Sequence, residues 1–414
     1  MLICLITTSL RREDGMLDVS KMLYYLSQQI LDWAHGGDWE SRLSFLRLFK
    51  YITVRCAGAA VTALLLSWWF GPKIIRWLKV QKFGQEYLDI AQQSGASQTR
   101  IDKKGTPTMG GLLIVVALLF STMLWTQWNE LVELTMLAVL VFAGLGFYDD
   151  YAKIVKQNGD GTPPRVKLVT QFALGLFVAV YLWKLPLEST VKFATGEKFT
   201  HNNLVCDLML PFYKYPFHIG AVLGIIIVLL TIVGSSNAVN LTDGLDGLAI
   251  GCTLITGFVF LCVTYLAGNT KAATYLQIPH VEGAGELTVF CSALLGAGLG
   301  FLWFNCHPAQ VFMGDTGSLA LGGAFGLVAV LIHQPFLLVI AGGIFVAEAV
   351  SVILQKSWFK YTRLKTGTGR RIFLMAPLHH HFEKKGWHES QVVLRFYILC
   401  VLCAVVALAS LKLR

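Results

Sequence analysis

Uncharged apolar runs of near-membrane length recur along this chain and constrain everything else it can do. Residues 219–233 carry no charged side chain, and neither do residues 248–266. About 20 apolar residues suffice to cross the hydrocarbon core of a bilayer as a helix, and in lipid only helices and closed barrels satisfy their own backbone. The short alternating strands of a barrel do not occur. Of the 414 residues, 55% are hydrophobic and only 14% charged, with a mean hydropathy of +0.59. A soluble domain carries roughly 25% charge. The expectation is an all-α polytopic membrane protein with about ten transmembrane helices.

The runs place those helices at about 51–70, 109–127, 131–148, 168–185, 217–236, 248–266, 287–305, 317–333, 336–354 and 392–411. The stretch 186–217 is long enough for a small extracytoplasmic hairpin. Ten crossings put both termini on one side. The loops 71–108, 149–167 and 356–391 hold 7, 4 and 8 Lys/Arg, whereas 186–217 and 268–286 hold 3 and 1. Positive charge collects on the cytoplasmic side, so the first group is assigned to the cytoplasm. Residues 1–50 oppose this weakly with six Lys/Arg. They read as an N-terminal extension to a single membrane domain, 51–414. Its first 15 residues are expected to be dispensable, with Met16 and Met22 as alternative starts.

The net charge of +9 invites a nucleic-acid reading. The charges lie in inter-span loops, which suits anionic lipid or an anionic substrate and not nucleic acid. The nine cysteines are scattered and mostly lie inside apolar runs. Cys400 and Cys403 read as small core residues; neither a disulfide framework nor a zinc site is indicated.

The chemistry concentrates at span ends. Between two spans lies Asn237-Ala-Val-Asn240-Leu-Thr-Asp243-Gly-Leu-Asp246-Gly247. Polar groups so placed are costly and usually functional. Asp243 and Asp246, three apart, would share a face of a helical turn. Asp149-Asp150 and Gly314-Asp315-Thr316-Gly317 also fall at cytoplasmic span ends, as do Lys103-Lys104 and His379-His380-His381. Carboxylates converging at a water-accessible face with lysines nearby suit a phosphate-bound divalent cation. Phosphoryl transfer needs mainly positioning and charge neutralisation. In a helix, adjacent Asp149 and Asp150 point about 100° apart and should do different jobs. Three consecutive histidines do not make the i, i+4 pair of a helical zinc site, so phosphate contact or loop ordering is the better reading. No Walker loop occurs, and Gly296-x-Gly298-x-Gly300 reads as close helix packing.

Six stretches together resemble the polyprenyl-phosphate N-acetylhexosamine-1-phosphate transferase superfamily. They are 103–111 (KKGTPTMGG), 149–153 (DDYAK), 237–247, 301–305 (FLWFN), 311–319 (VFMGDTGSL) and 377–383 (PLHHHFE). The resemblance runs from about residue 50 to the C-terminus, and the His-His-His loop is similar to the muramoyl-pentapeptide branch. It implies an Mg²⁺-dependent transferase of the bacterial inner membrane, acting in the first membrane step of peptidoglycan synthesis. UDP-N-acetylmuramoyl-pentapeptide would give its phospho-sugar to undecaprenyl phosphate, forming lipid I and releasing UMP. By the same resemblance Asp315 is the metal ligand, and Asp149 and Asp150 handle the lipid phosphate. Asn237, Asn240, Asp243 and Asp246 line the nucleotide and diphosphate site, and Phe312 stacks on uracil. Lys103, Thr108, Lys153 and Lys167 hold phosphates or nucleotide, while His379, His380 and His381 face the sugar-diphosphate. A homodimer is a further expectation of the resemblance. The alternatives are a sister transferase for another UDP-amino-sugar and an ion-coupled transporter, whose binding groups would lie at mid-bilayer depth.

Overall fold

The computed structural model describes residues 23–34, 43–81, 105–155, 161–184, 189–192, 198–201, 205–213 and 215–413. Its helices, in chain order, are α1 (Leu23–Ala34), α2 (Ile52–Val80), α3 (Gly111–Trp125), α4 (Glu130–Val155) and α5 (Pro164–Lys184). After a strand-bearing segment come α6 (Gly220–Thr242), α7 (Leu248–Gly268), α8 (Thr270–Leu276), α9 (Ala284–Asn305), α10 (Gly314–Leu331) and α11 (Pro335–Ala341). The last are α12 (Gly343–Thr366), α13 (Leu378–Lys384) and α14 (Glu389–Ser410). Eight of them are long and apolar enough to cross a membrane. The bent pair α11–α12 supplies a ninth, and the shorter apolar α3 occupies the remaining expected position. The chain is a multi-pass α-helical membrane protein.

Two span expectations need correcting. The first span, α2, does not stop at residue 70 but runs through Pro72 to Val80. Its basic end, with Lys73, Arg76 and Lys79, is polar enough to leave the bilayer without unwinding. The span expected at 336–354 is broken: α11 and α12 meet at Gly342–Gly343 with an 86° bend. The α11 segment caps out after seven residues, too short to cross a bilayer alone.

Burial decides which helices are central. Every residue of α10 from Thr316 to Leu331 is buried, as befits a helix apolar on all sides. It lies against α4 and α6, while α9 lies against α2 and α7. The small-residue stripe of α9 does the packing expected of it. A Cβ on Gly296 would meet the Ala60 carbonyl oxygen of α2, and one on Gly298 would meet Leu254 of α7.

The expected hairpin is present. Strand β1 (Ser189–Lys192) pairs antiparallel with β2 (Lys198–His201), and β3 (Asp207–Leu208) with β4 (Phe217–His218). Strand β5 (His280–Val281) joins the other edge of β1. The two weakly basic loops therefore meet on one face, as their shared assignment requires. Helix α1 and the end of the last helix join them there. Arg55, which forms a bidentate ion pair with Glu286 at the start of α9, stacks over Tyr24 of α1. Lys412 stacks over Tyr275 of α8 at 3.7 Å.

Candidate active site

On the opposite face, helix ends gather the acidic residues. The end of α4 supplies Asp149, Asp150 and Lys153, the start of α5 supplies Lys167, the end of α6 supplies Asn240, and the first turn of α10 supplies Asp315. Lys153 and Lys167 both bridge Asp149 and Asp315. Their Nζ atoms each lie 2.7 Å from Asp149 Oδ2, and Lys153 lies 3.0 Å from Asp315 Oδ2. Asn240 Nδ2 donates to the other Asp315 oxygen at 2.7 Å and to Ser318 Oγ at 2.8 Å.

The two adjacent aspartates divide their work. Asp150 Oδ2 accepts from the Thr316 amide at 3.0 Å and the Thr316 hydroxyl at 2.8 Å, and Oδ1 accepts from the Asp315 amide at 3.2 Å. It thus satisfies amides that the first turn of α10 leaves without intrahelical partners, where negative charge is favoured. Asp149 takes the Thr162 amide on Oδ1 at 2.7 Å and turns Oδ2 to the lysines. Gly314 makes the juncture feasible. Its φ of +73° is ordinary only for glycine, and a Cβ there would sit 2.7 Å from Asp150 Oδ2 and 2.9 Å from Thr108 Oγ1.

Asp243 and Asp246 do not share a face. Helix α6 ends at Thr242, Asp243 leaves the helical region with ψ 60°, and Gly247 takes φ 77° before α7 begins. The turn sends the two carboxylates apart. Burial first, and then the charges of Asp315 and Asp150, push the Asp243 carboxyl up to about 8. Asp246 is buried and accepts from the Ala309 amide at 3.1 Å, with His307 Nδ1 also at 3.1 Å. Its own amide donates to Glu389 at 2.9 Å.

Other expected residues also find places. Asn237 donates to Gln171 Oε1 and to the Val233 carbonyl, both at 2.8 Å, one turn behind Asn240. Phe312 is half-buried in a strand-like clamp: its amide donates to Pro107, and its carbonyl accepts from Gly110, both at 2.8 Å. Lys103 lies outside the described residues. The three histidines begin α13. His379 is 1% exposed; its Nδ1 lies 3.2 Å from the buried Glu348 carboxylate, and its Nε2 is buried without a hydrogen-bond partner. A Cβ on Gly244 would sit 2.2 Å from its Nε2, so glycine at 244 admits the ring against the Asp243 turn. His380 Nδ1 pairs with Glu383 at 2.6 Å, and His381 Nδ1 accepts from the Leu374 amide.

Ligand oxygens of Asp149, Asp150 and Asp315 lie within 4.8 Å of one another, so these acids can hold a metal ion. Asp149, Asp150 and Asp315 face two lysines, Lys153 and Lys167. Three carboxylates against two ammonium groups leave an excess of negative charge, which a divalent cation would relieve. An all-oxygen donor set fits a hard cation such as Mg²⁺.

Beside this face runs an apolar groove between α6, α11 and α12, lined by Leu230, Val239, Phe336, Phe345, Val346 and Val350 among others. Ala238 and Val239 line it too, so it reaches the same end of α6 that carries Asn237 and Asn240.

Sequence reasoning placed Thr316, Ser318 and Asn305 inside its motifs without giving them a role, and missed Glu348. Asn305 accepts the Gly247 amide at 3.1 Å and donates to the Val311 carbonyl at 2.8 Å, tying the α6–α7 turn to the loop before α10. Glu348 was detectable as a lone carboxylate within an apolar span.

Comparison with known proteins follows the same lines. Residues 132–333 match the glycosyl transferase family 4 profile. Residues 103–115 match signature 1 of phospho-N-acetylmuramoyl-pentapeptide-transferases. A phospho-N-acetylmuramoyl-pentapeptide-transferase of Granulibacter bethesdensis is 50% identical over 370 residues, covering 89% of this chain and 95% of the relative.

Proposed function

The chain belongs to the phospho-N-acetylmuramoyl-pentapeptide-transferase family, and on that premise we propose that the acid–lysine cluster is where it transfers the phospho-sugar. The protein is a membrane transferase of peptidoglycan synthesis. It moves phospho-N-acetylmuramoyl-pentapeptide from its UDP carrier to undecaprenyl phosphate, giving lipid I and UMP. The observation that carries the site assignment is the double bridge of Lys153 and Lys167 between Asp149 and Asp315.

In this reading an oxygen of the lipid phosphate attacks the sugar-bearing phosphorus. One P–O bond forms there and the P–O bond to UMP breaks, so one anhydride replaces another without ATP. The acceptor is already an anionic nucleophile, so direct attack needs no covalent enzyme intermediate. Asp149 orients the incoming lipid phosphate, and Lys153 and Lys167 move from carboxylates to phosphate oxygens as the substrates enter. Asp150 does not touch substrate; it fixes the start of α10 and with it Asp315. Asn240 keeps the Asp315 carboxylate in register. Asp315 and Asp149 would hold Mg²⁺, which supplies neutralisation of the diphosphate charge. His379, whose Nε2 has no hydrogen-bond partner, faces the sugar-diphosphate. Asp246 acts from behind as a brace for the 307–310 loop. Lys103, Thr108 and Phe312 contribute to the nucleotide side.

The apolar groove takes the polyprenyl chain, because it opens beside the reacting groups and is lined almost wholly by hydrocarbon. The cluster faces the cytoplasm of the inner membrane, following the loop charges, and the protein is proposed to form a homodimer. Residues 51–414 form the transferase domain, with 1–50 as an extension. The carboxylates sit at helix ends and not at helix centres, which disfavours the transporter reading.

The test is UMP release from UDP-N-acetylmuramoyl-pentapeptide by purified protein with undecaprenyl phosphate and Mg²⁺, beside Asp315→Asn. Lipid-dependent release that disappears in the variant supports the assignment. An inactive wild type beside an active control enzyme, or an Asp315→Asn variant with wild-type turnover, overturns it.

A further inference from the structure

Helix α12 carries two faces with different partners. Val346, Ala349 and Val350 line the apolar groove. On the other side stand Glu348, Gln355 and Thr362, each seven residues after the last. Seven residues advance about 700° around a helix, about 20° short of two turns, so the three form one row. Each reaches backbone of the segment that returns toward α13. Thr362 Oγ1 accepts the Arg370 amide at 2.9 Å. Gln355 Oε1 accepts the Ile372 and Phe373 amides, both at 3.0 Å, and its Nε2 donates to the Phe373 carbonyl at 3.1 Å. Glu348, 0% exposed, accepts the Leu378 amide at 2.6 Å and the His379 amide at 3.1 Å.

The order matters. Moving back along α12 from 362 to 355 to 348, the partners advance from 370 to 373 to 379. The segment is therefore laid antiparallel along the helix and fixed at three points. The last point is the first turn of α13, whose amides lack intrahelical acceptors and whose N-cap Pro377 offers no side-chain acceptor. Glu348 supplies the missing cap from another helix, and its Oε1 also lies 3.2 Å from His379 Nδ1.

We propose that Glu348, Gln355 and Thr362 are positioning residues that clamp the histidine segment to α12, so that the helix lining the groove and His379 move as one body. A chain seated in the groove bears on Val346 and Val350, and α12 carries that load to the histidines through the clamp. Lipid occupancy thereby sets the histidines for the second substrate. The coupling rests on the transferase reading; the clamp itself does not.

Amide hydrogen exchange on the full-length protein tests both parts. Gln355→Met removes all three Gln355 hydrogen bonds at similar side-chain volume, and Gln355→Glu keeps the acceptor for the Ile372 and Phe373 amides. Gln355→Met is expected to speed exchange across 370–379 roughly tenfold or more, three lost hydrogen bonds being worth at least about that factor, while α10 and α14 keep wild-type protection. Its KM for the nucleotide substrate rises with little change in KM for the lipid, and Gln355→Glu restores most of the loss. Adding undecaprenyl phosphate slows exchange at 370–379 in wild type but not in Gln355→Met. Wild-type protection of 370–379 in Gln355→Met, or loss spread equally through α10 and α14, overturns the clamp. A wild type whose 370–379 exchange ignores the lipid overturns the coupling. Failure of UMP release by wild type bears on the transferase reading alone, since exchange in the ligand-free protein reads the clamp directly.

Discussion

Asp150 Oδ2 accepts both the amide and the hydroxyl hydrogen of Thr316, so this carboxylate is committed to the start of α10. Its neighbour Asp149 is committed to two lysines. Parallel substitutions should separate the roles. Asp149→Asn is expected to lower kcat by roughly 10²–10⁴-fold, the range for a positioned acid–base or orienting group, with the smaller fall in thermal midpoint, since the amide oxygen still accepts from Thr162 and Asp315 still holds both lysines. Asp150→Asn should lower both, because both of its oxygens accept and one becomes an NH₂ facing a donor; a stability cost of about 1–3 kcal/mol follows. Thermal scans in detergent beside single-turnover rates read the split. Equal stability for the two variants would contradict it.

The acidic cluster should bind a divalent cation in the absence of either substrate. Mn²⁺, which shares the preference of Mg²⁺ for oxygen donors, gives a direct readout by electron paramagnetic resonance. Wild type is expected to bind Mn²⁺ at a site from which Mg²⁺ displaces it. Asp315→Asn should weaken that binding at least tenfold, whereas Asp246→Asn, whose carboxylate serves the 307–310 loop, should not.

Gly244 and His379 are matched in shape. Gly244→Ala places a Cβ 2.2 Å from His379 Nε2. The ring is buried, so it must shift. Overpacking of this kind costs about 1–3 kcal/mol, and here the displaced group is the histidine whose Nε2 has no partner. The expected result is a kcat/KM for the nucleotide substrate at least tenfold lower, with a modest fall in thermal midpoint. Retained kcat/KM would remove His379 from the substrate's path.

Arg55 and Glu286 provide the contrasting case. Their bidentate pair is buried at the face that carries the hairpin. Removing one partner of a buried ion pair strands the other and costs roughly 3–5 kcal/mol. Glu286→Gln should therefore lower the thermal midpoint strongly while the activity of the remaining folded protein stays at wild-type level. Active-site titration combined with a thermal scan distinguishes lost protein from lost chemistry.

The sequence made the crossings and the Asp149, Asp150 and Asp315 cluster legible for one reason: a charge at the end of an apolar run stands out. Lys153 and Lys167 followed from resemblance, and their double bridge became visible only once α4, α5 and α10 were packed. The shared face expected for Asp243 and Asp246 failed because spacing arguments assume that a helix continues, and α6 stops at Thr242. The 86° break of α11–α12 was hidden because each half is apolar, so hydropathy reads through the bend. Glu348 carried a signal in its isolation. Gln355 and Thr362 carried none, since their partners are backbone groups and backbone leaves no mark on composition.

The groove assignment can be tested by filling it. Gly234 lines the groove on α6, and a Cβ built there meets nothing within 4 Å. A larger side chain therefore enters empty space without displacing the helix. It also lies one turn before Asn237, clear of the Asn240–Asp315 contact. Leucine is a better helix former than glycine by about 1 kcal/mol, so Gly234→Leu should fold at least as well as wild type. If the groove holds the lipid chain, the leucine takes up room the chain needs. KM for undecaprenyl phosphate should rise several-fold, a short-chain polyprenyl phosphate should be affected less, and KM for the nucleotide substrate should stay constant. The chain-length dependence is the discriminating readout, because a general disturbance of α6 would reach Asn240 and raise both constants together. Unchanged kinetics with every acceptor length would place the lipid chain elsewhere on the protein.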